Sequence, residues 1–115
     1  MRPGKYRNVP TVVDGIKFAS KAQAKRYAQL QLLERAGAIS DLRAEVPFRL
    51  EVNGVLVCKY VADATYTERI NDPQAIGERF VAEDTKSPAT RKNPVFRLKA
   101  KLMKAIHGIE IRITE

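Results

Sequence analysis

The chain has one cysteine, one histidine and no tryptophan in 115 residues. The single cysteine, Cys58, excludes an intramolecular disulfide framework and any Cys-rich zinc site. The single histidine, His107, makes a His-ligated metal centre improbable on ligand count. A nucleophilic Cys58–His107 pair would need a third orienting group. Cys58 lies in an apolar run and reads as a small buried hydrophobe. Aromatic residues make up 7% of the chain and are scattered, which disfavours a base-stacking single-strand binder. Neither an apolar run of membrane-spanning length nor an amphipathic basic tail supports a membrane partner. No leader is visible at Met1-Arg2-Pro3-Gly4-Lys5, so the expected location is cytoplasmic. Internal repeats and low-complexity segments are also missing.

Acidic residues are in deficit, with 13 Asp and Glu against 21 Lys and Arg for a net charge of +8. That balance favours a polyanionic partner, nucleic acid first, although it also suits a merely solubilising surface. The length fits one domain, and 44% hydrophobic residues can build its core.

Residues 1–11 read as a basic, turn-prone arm. Asp14-Gly15, between Val12-Val13 and Ile16-Lys17-Phe18, signals a small hairpin. Ser20-Lys21-Ala22-Gln23 matches a capping box and predicts a helix to about Ala36, stopped by Gly37. Residues 43–52 alternate, with Val46, Phe48, Leu50 and Val52 on one side, and Pro47 suggests a sheet edge or a strand start. Asn53-Gly54 is a strong hairpin turn. The return strand, Val55 to Tyr66, is apolar on both faces until Asp63 and belongs inside a sheet. Residues 67–78 read as a long connection, followed by a third strand at about 79–86. Asn93-Pro94 opens a second helix that ends at Gly108. Residues 109–113 close the chain as a strand. The expected fold is α/β (α+β), one α-β-β-β-α-β domain over 19–115 preceded by a basic arm and hairpin over 1–18.

Asp63 interrupts an apolar strand, and a buried carboxylate is costly unless it is paired or binds a metal. On the third strand Ala82, Asp84 and Lys86 share a face, which places Asp84 and Lys86 roughly 7 Å apart. If the two strands pair, two carboxylates and a lysine converge. Hard oxygen donors of this kind suit Mg²⁺ or Mn²⁺. A carboxylate-held divalent metal can activate water and stabilise phosphoryl charge, while a lysine beside it positions that water. The alternatives are an Asp63 at a strand end in water or paired with a nearby lysine, and a plain surface ion pair for Asp84 and Lys86. Glu83 points to the opposite face as a structural charge or a support for the site.

Asp63 and Asp84-Thr85-Lys86, in this element order, resemble the PD-(D/E)xK nuclease superfamily. More closely, the chain resembles a family of short, mostly uncharacterised phage proteins. Lys5-Tyr6-Arg7-Asn8, Asp14 to Lys21, Lys25-Arg26-Tyr27, Tyr60-Val61-Ala62-Asp63, Glu83 to Lys86 and Phe96-Arg97-Leu98-Lys99 carry the likeness. The resemblance implies a restriction-endonuclease-like core and metal binding by Asp63, Asp84 and the Thr85 main-chain carbonyl. It also implies that Lys86 serves the attacking water. A catalytic glutamate is expected where this chain has Gln23, which can take that site position and coordinate a metal or hold water through its amide oxygen, close the capping box with Ser20, or do both. By analogy with junction-resolving endonucleases, the implied function is a dimeric, metal-dependent endonuclease acting on branched, Holliday-junction-like duplex DNA in phage recombination, replication or repair. The alternative is a nuclease-fold DNA-binding module with weak or no catalysis.

In the second helix Val95, Phe96, Leu98, Leu102, Met103 and Ile106 span the expected buried arc, and Arg97, Lys101 and Lys104 form a stripe on the other side. Such a stripe can be a solvated face or can track phosphates. Lys99 falls in the apolar arc and either snorkels to the edge or reaches a phosphate beside Lys86. Further candidate DNA-binding residues are Lys5, Arg7, Lys17, Lys21, Lys25 and Arg26, together with Arg91 and Lys92 in the basic loop after Lys86.

Overall fold

The computed structural model describes residues 10–115. Most of the expected basic arm, with Lys5 and Arg7, lies outside the described residues. Two short strands, β1 (Thr11–Val13) and β2 (Ile16–Phe18), form the expected hairpin. Asp14 and Gly15 both take positive φ there, at 50° and 79°, as a turn matched to strand twist requires. Phe18 packs on Tyr27, ring centroids 5.1 Å apart, and so seats the hairpin on the first helix.

That helix, α1 (Lys21–Arg35), starts at Ser20, whose Oγ accepts the Gln23 N–H at 3.2 Å. The return half of the capping box is displaced by one residue: Gln23 Oε1 accepts the N–H of Ala19, at 3.1 Å, rather than that of Ser20. Ala24, Tyr27 and Leu30 are its buried face.

Strands β3 (Ile39–Val52), β4 (Val55–Asp72), β5 (Ala75–Thr85) and β6 (Arg112–Thr114) form one sheet in that spatial order. The first three are antiparallel, and β6 lies parallel to β5. The chain reaches β6 through α2 (Pro88–Arg91), α3 (Pro94–Leu102) and a π-helical turn over Met103–His107. The result is a single α/β domain with a central mixed sheet flanked by helices. Among the described residues no helix is long and apolar enough to cross a membrane.

Pro47 sits on β3, which is the sheet edge, where a missing N–H breaks no central ladder. Asn53 and Gly54, at φ 51° and 79°, make the β3–β4 turn and pair Val52 with Val55. Asn93 caps α3 by accepting the Val95 N–H at 2.8 Å, and Gly108, at φ 68°, ends the helical run.

Several expectations need correction. β3 begins at Ile39, ahead of the expected residue 43. The expected connection over 67–78 is instead a hairpin, with Asp72 paired to Ala75; backbone ladder bonds hold its mostly exposed, polar strands without an apolar face. The loop after Lys86 contains α2, which Ser87 caps by accepting the Thr90 N–H. The final strand spans Arg112–Thr114 rather than 109–113. Val52 is exposed at the end of β3. Val95 and Leu98 are exposed as well, so the buried arc of α3 is narrower than its apolar arc. β4 is central, yet Val55, Leu56, Val57 and Val61 remain exposed.

The interior has two parts. Phe18, Ala24, Tyr27, Leu30, Ile39, Ala64, Tyr66 and Val81 form a core under α1. Leu50, Tyr60, Ala62, Ala82, Phe96 and Met103 form a second core under α3 and the π turn. On β4 the changeover falls between Ala62 and Ala64, at Asp63. Glu45, which lies between the β3 partners of those two alanines, has a left-handed φ of 53°.

Candidate functional site

The antiparallel ladder between β4 and β5 reaches Ala64 and Glu83 in this direction. One step further, Asp63 Oδ2 accepts the Thr85 N–H at 2.8 Å. A carboxylate thus takes the place of a ladder carbonyl where the strands separate, which brings Asp63 against the Asp84 carboxyl group. Gln23, in the first turn of α1, donates from Nε2 to Asp63 Oδ1 at 3.2 Å. Tyr60, from β4, donates its hydroxyl to Asp84 Oδ2 at 2.9 Å. Lys86 Nζ lies 3.6 Å from the same oxygen and 4.9 Å from the centroid of the Phe96 ring. The structure therefore gathers Gln23, Asp63, Asp84 and Lys86, with Thr85 bound through its backbone.

The electrostatics follow from burial. Asp84 is 2% exposed. Desolvation, followed by the hydrogen bond and repulsion from Asp84, pushes the Asp63 carboxyl up to about 7, against the opposing Thr85 N–H and Lys86 charge. The Tyr60 hydroxyl is held far above its usual range by desolvation and by Asp84, so it acts as a neutral donor.

Paired hard-oxygen donors beside a lysine suit a divalent cation such as Mg²⁺ or Mn²⁺. The set has two carboxylates, however: among the described residues no group of three or more His, Cys, Asp or Glu is gathered as a metal site. Gln23 directs its amide N–H toward Asp63, and its oxygen is engaged by Ala19. The residues fit a cation held by Asp63 and Asp84, with no third carboxylate to strengthen it.

Glu83, on the other face of β5, is 1% exposed. It accepts from Arg26 Nε at 2.7 Å and Arg26 Nη2 at 3.0 Å, and from the Tyr66 hydroxyl at 2.6 Å. Desolvation and Glu83 push the Tyr66 hydroxyl up to about 12. Arg112 also donates to Tyr66, at 3.4 Å, and forks onto Glu68 at 2.7 and 2.8 Å. This network fixes β4, β5 and β6 relative to α1 behind the site. Arg26, a candidate phosphate ligand from sequence, is thus turned inward.

The other basic candidates are dispersed. Lys17, Lys21, Lys25, Lys92, Arg97 and Lys101 are exposed. Arg91 pairs with Glu115, and Lys104 Nζ stands 3.5 Å from Glu110. Lys99 is half-buried and lines a cavity of about 480 Å³ together with Tyr60, Asp84 and Lys86. A second cavity, of about 380 Å³, lies on the other flank of Lys86 beside Ser20, Gln23, Thr85 and Glu115.

Sequence reading gave Tyr60 no role of its own at the site. It sits in an apolar strand, and its hydrogen bond to Asp84 spans 24 residues and leaves no local signal.

Residues 3–114 match the family model described as a protein of unknown function, DUF1064, and the chain belongs to that family. Neither a curated protein nor a solved structure matches it.

Proposed function

We propose that this member of the family is a nucleic-acid-binding protein on a nuclease-type scaffold, with a hydrolytic centre that is weakened or silent. The observation that carries the reading is the Gln23 Nε2 bond to Asp63, which puts a donor where the PD-(D/E)xK resemblance implies a glutamate. A scaffold of this kind keeps its basic surfaces and its Asp63–Asp84–Lys86 geometry while losing charge at the centre. The net charge of +8 supports an anionic ligand.

Asp63 and Asp84 are the residues that would hold Mg²⁺ or Mn²⁺, joined by the Thr85 main-chain carbonyl as the resemblance implies. Such an ion, when bound, lowers the pKa of water and offsets phosphoryl charge. Tyr60 and Thr85 fix the two carboxyl groups. Lys86 presents a cation beside Asp84, where a phosphate oxygen or an attacking water can meet it. Gln23 donates a neutral amide N–H to Asp63 Oδ1 and adds no charge.

A second reading keeps full activity: a homodimeric endonuclease on branched phage-type DNA. The proximity of Lys86 to Asp84 favours it. Incubation with supercoiled and branched DNA in Mg²⁺ or Mn²⁺ separates the two. The first reading expects DNA retention with little or no strand cleavage by the wild type. Multiple-turnover cleavage, abolished in Asp84→Ala, would overturn it in favour of the second.

A further inference from the structure

Two cavities flank the carboxylates and share Lys86 and Thr90. Their charge differs. The cavity near α1 and α2 is lined by Glu115 and by no lysine except Lys86. The cavity between β4 and α3 is lined by Lys59, Lys86 and Lys99, with Asp84 as its carboxylate. Lys86 is partly committed, 3.6 Å from Asp84. Among the described residues no ion pair engages Lys59 or Lys99. The two come from different elements, Lys59 from β4 and Lys99 from the second turn of α3. The first amides of α3 are capped by Asn93 Oδ1, so the lysine side chains carry the positive charge here.

From this juxtaposition we infer that the β4–α3 cavity is the phosphate subsite of the bound strand: Lys59 and Lys99 grip backbone phosphates next to the one facing Asp84 and Lys86. The ligand class is a phosphodiester of nucleic acid, and the inference rests on the nucleic-acid-binding reading above. It also sets direction, because the strand crosses the carboxylates on the α3 side and leaves the Glu115 cavity free of phosphate. Lys59 thereby joins the binding surface, and Lys99 reaches ligand rather than only snorkelling to solvent.

The test is binding of a fluorescent DNA duplex, followed by anisotropy without divalent metal over a salt series. The proteins are wild type, Lys59→Ala/Lys99→Ala and a charge-matched control, Arg35→Ala/Arg69→Ala. Arg35 and Arg69 are exposed and do not line either cavity. Leaving two phosphates without a lysine should reduce the slope of log K against log salt by about 2 and weaken binding at least about tenfold near 0.1 M salt. The control should keep the wild-type slope, and melting temperatures verify that all three remain folded. An unchanged slope in the lysine variant overturns the subsite while leaving nucleic-acid binding intact. Equal losses in the lysine variant and the control reduce the effect to net charge and overturn it too. A wild type that binds no duplex removes the functional reading and the subsite together.

Discussion

Gln23 and Asp63 meet as donor and acceptor, amide Nε2 to carboxyl Oδ1 at 3.2 Å, across 40 residues of sequence. The Ala19 N–H on Gln23 Oε1 fixes which end of the amide faces Asp63. A glutamate at this position has no proton to give at neutral pH and would add a third charge to two crowded carboxylates.

Gln23→Glu is therefore predicted to have opposite effects with and without metal. In EDTA at pH 7 it should destabilise the fold by about 1–3 kcal/mol, from a broken hydrogen bond and added repulsion. The helix dipole returns roughly 0.3–1 kcal/mol to a carboxylate in this first turn. In Mn²⁺ the loss should reverse, with tighter binding by calorimetric titration. Equal Mn²⁺ affinity in the two proteins would leave Gln23 as a capping residue and nothing more.

The raised Asp63 pKa makes a pH prediction. Because the folded value is about 7 and the unfolded value about 3.9, the folded protein binds the extra proton between them. Stability from this group is fully present below about pH 4 and is lost as pH rises toward 7, by on the order of a few kcal/mol. Denaturation in EDTA across that window should show the decline, and Asp63→Asn should flatten it. Mn²⁺ affinity should move the other way, rising through pH 7 as the metal displaces the proton. A pH-independent affinity would show that Asp63 is already ionised.

Arg26→Ala tests the buried pair behind the site. Glu83 would keep Tyr66 but lose both guanidinium bonds in a setting where it is 1% exposed. Removing one partner of such a pair typically costs about 3–5 kcal/mol. The double variant Arg26→Met/Glu83→Leu should recover much of that loss in urea unfolding. A single variant as stable as wild type would mean that the pair does not order the β5 strand.

What sequence made legible follows from the range of each interaction. Ser20, Asn53-Gly54 and Asn93 act on backbone within a few residues, so cap and turn chemistry located α1, the β3–β4 hairpin and α3. Period-two alternation put Asp84 and Lys86 on one face because neighbouring positions suffice for that. The β4–β5 hairpin beyond Tyr66 was hidden because its polar residues need no apolar partner to keep a backbone ladder. The exposure of Val95 and Leu98 depends on how much of α3 the sheet covers, a tertiary fact that periodicity does not contain. The same holds at Asp63, where β4 passes from one core to the other and Ala62 and Ala64, of equal parity, pack in different places.

The outer face of α3 yields the last prediction. Arg97 and Lys101 are exposed one turn apart, and among the described residues neither forms an ion pair. Lys104 continues the stripe but stands 3.5 Å from Glu110, which offsets part of its charge. If the stripe tracks a phosphate backbone, Arg97→Ala/Lys101→Ala should lower the salt slope of DNA binding by about 2, at roughly 0.9 for each phosphate no longer neutralised. Lys104→Ala should lower it by less than either single change, and Glu110→Gln should strengthen binding by freeing that lysine. Thermal stability should stay within about 0.5 kcal/mol in all of these surface variants. An unchanged slope in the Arg97 and Lys101 double variant would make the stripe a solvated face. Phosphate binding would then be confined to the inner side of the helix, where Lys99 lies beside Lys86 and Asp84.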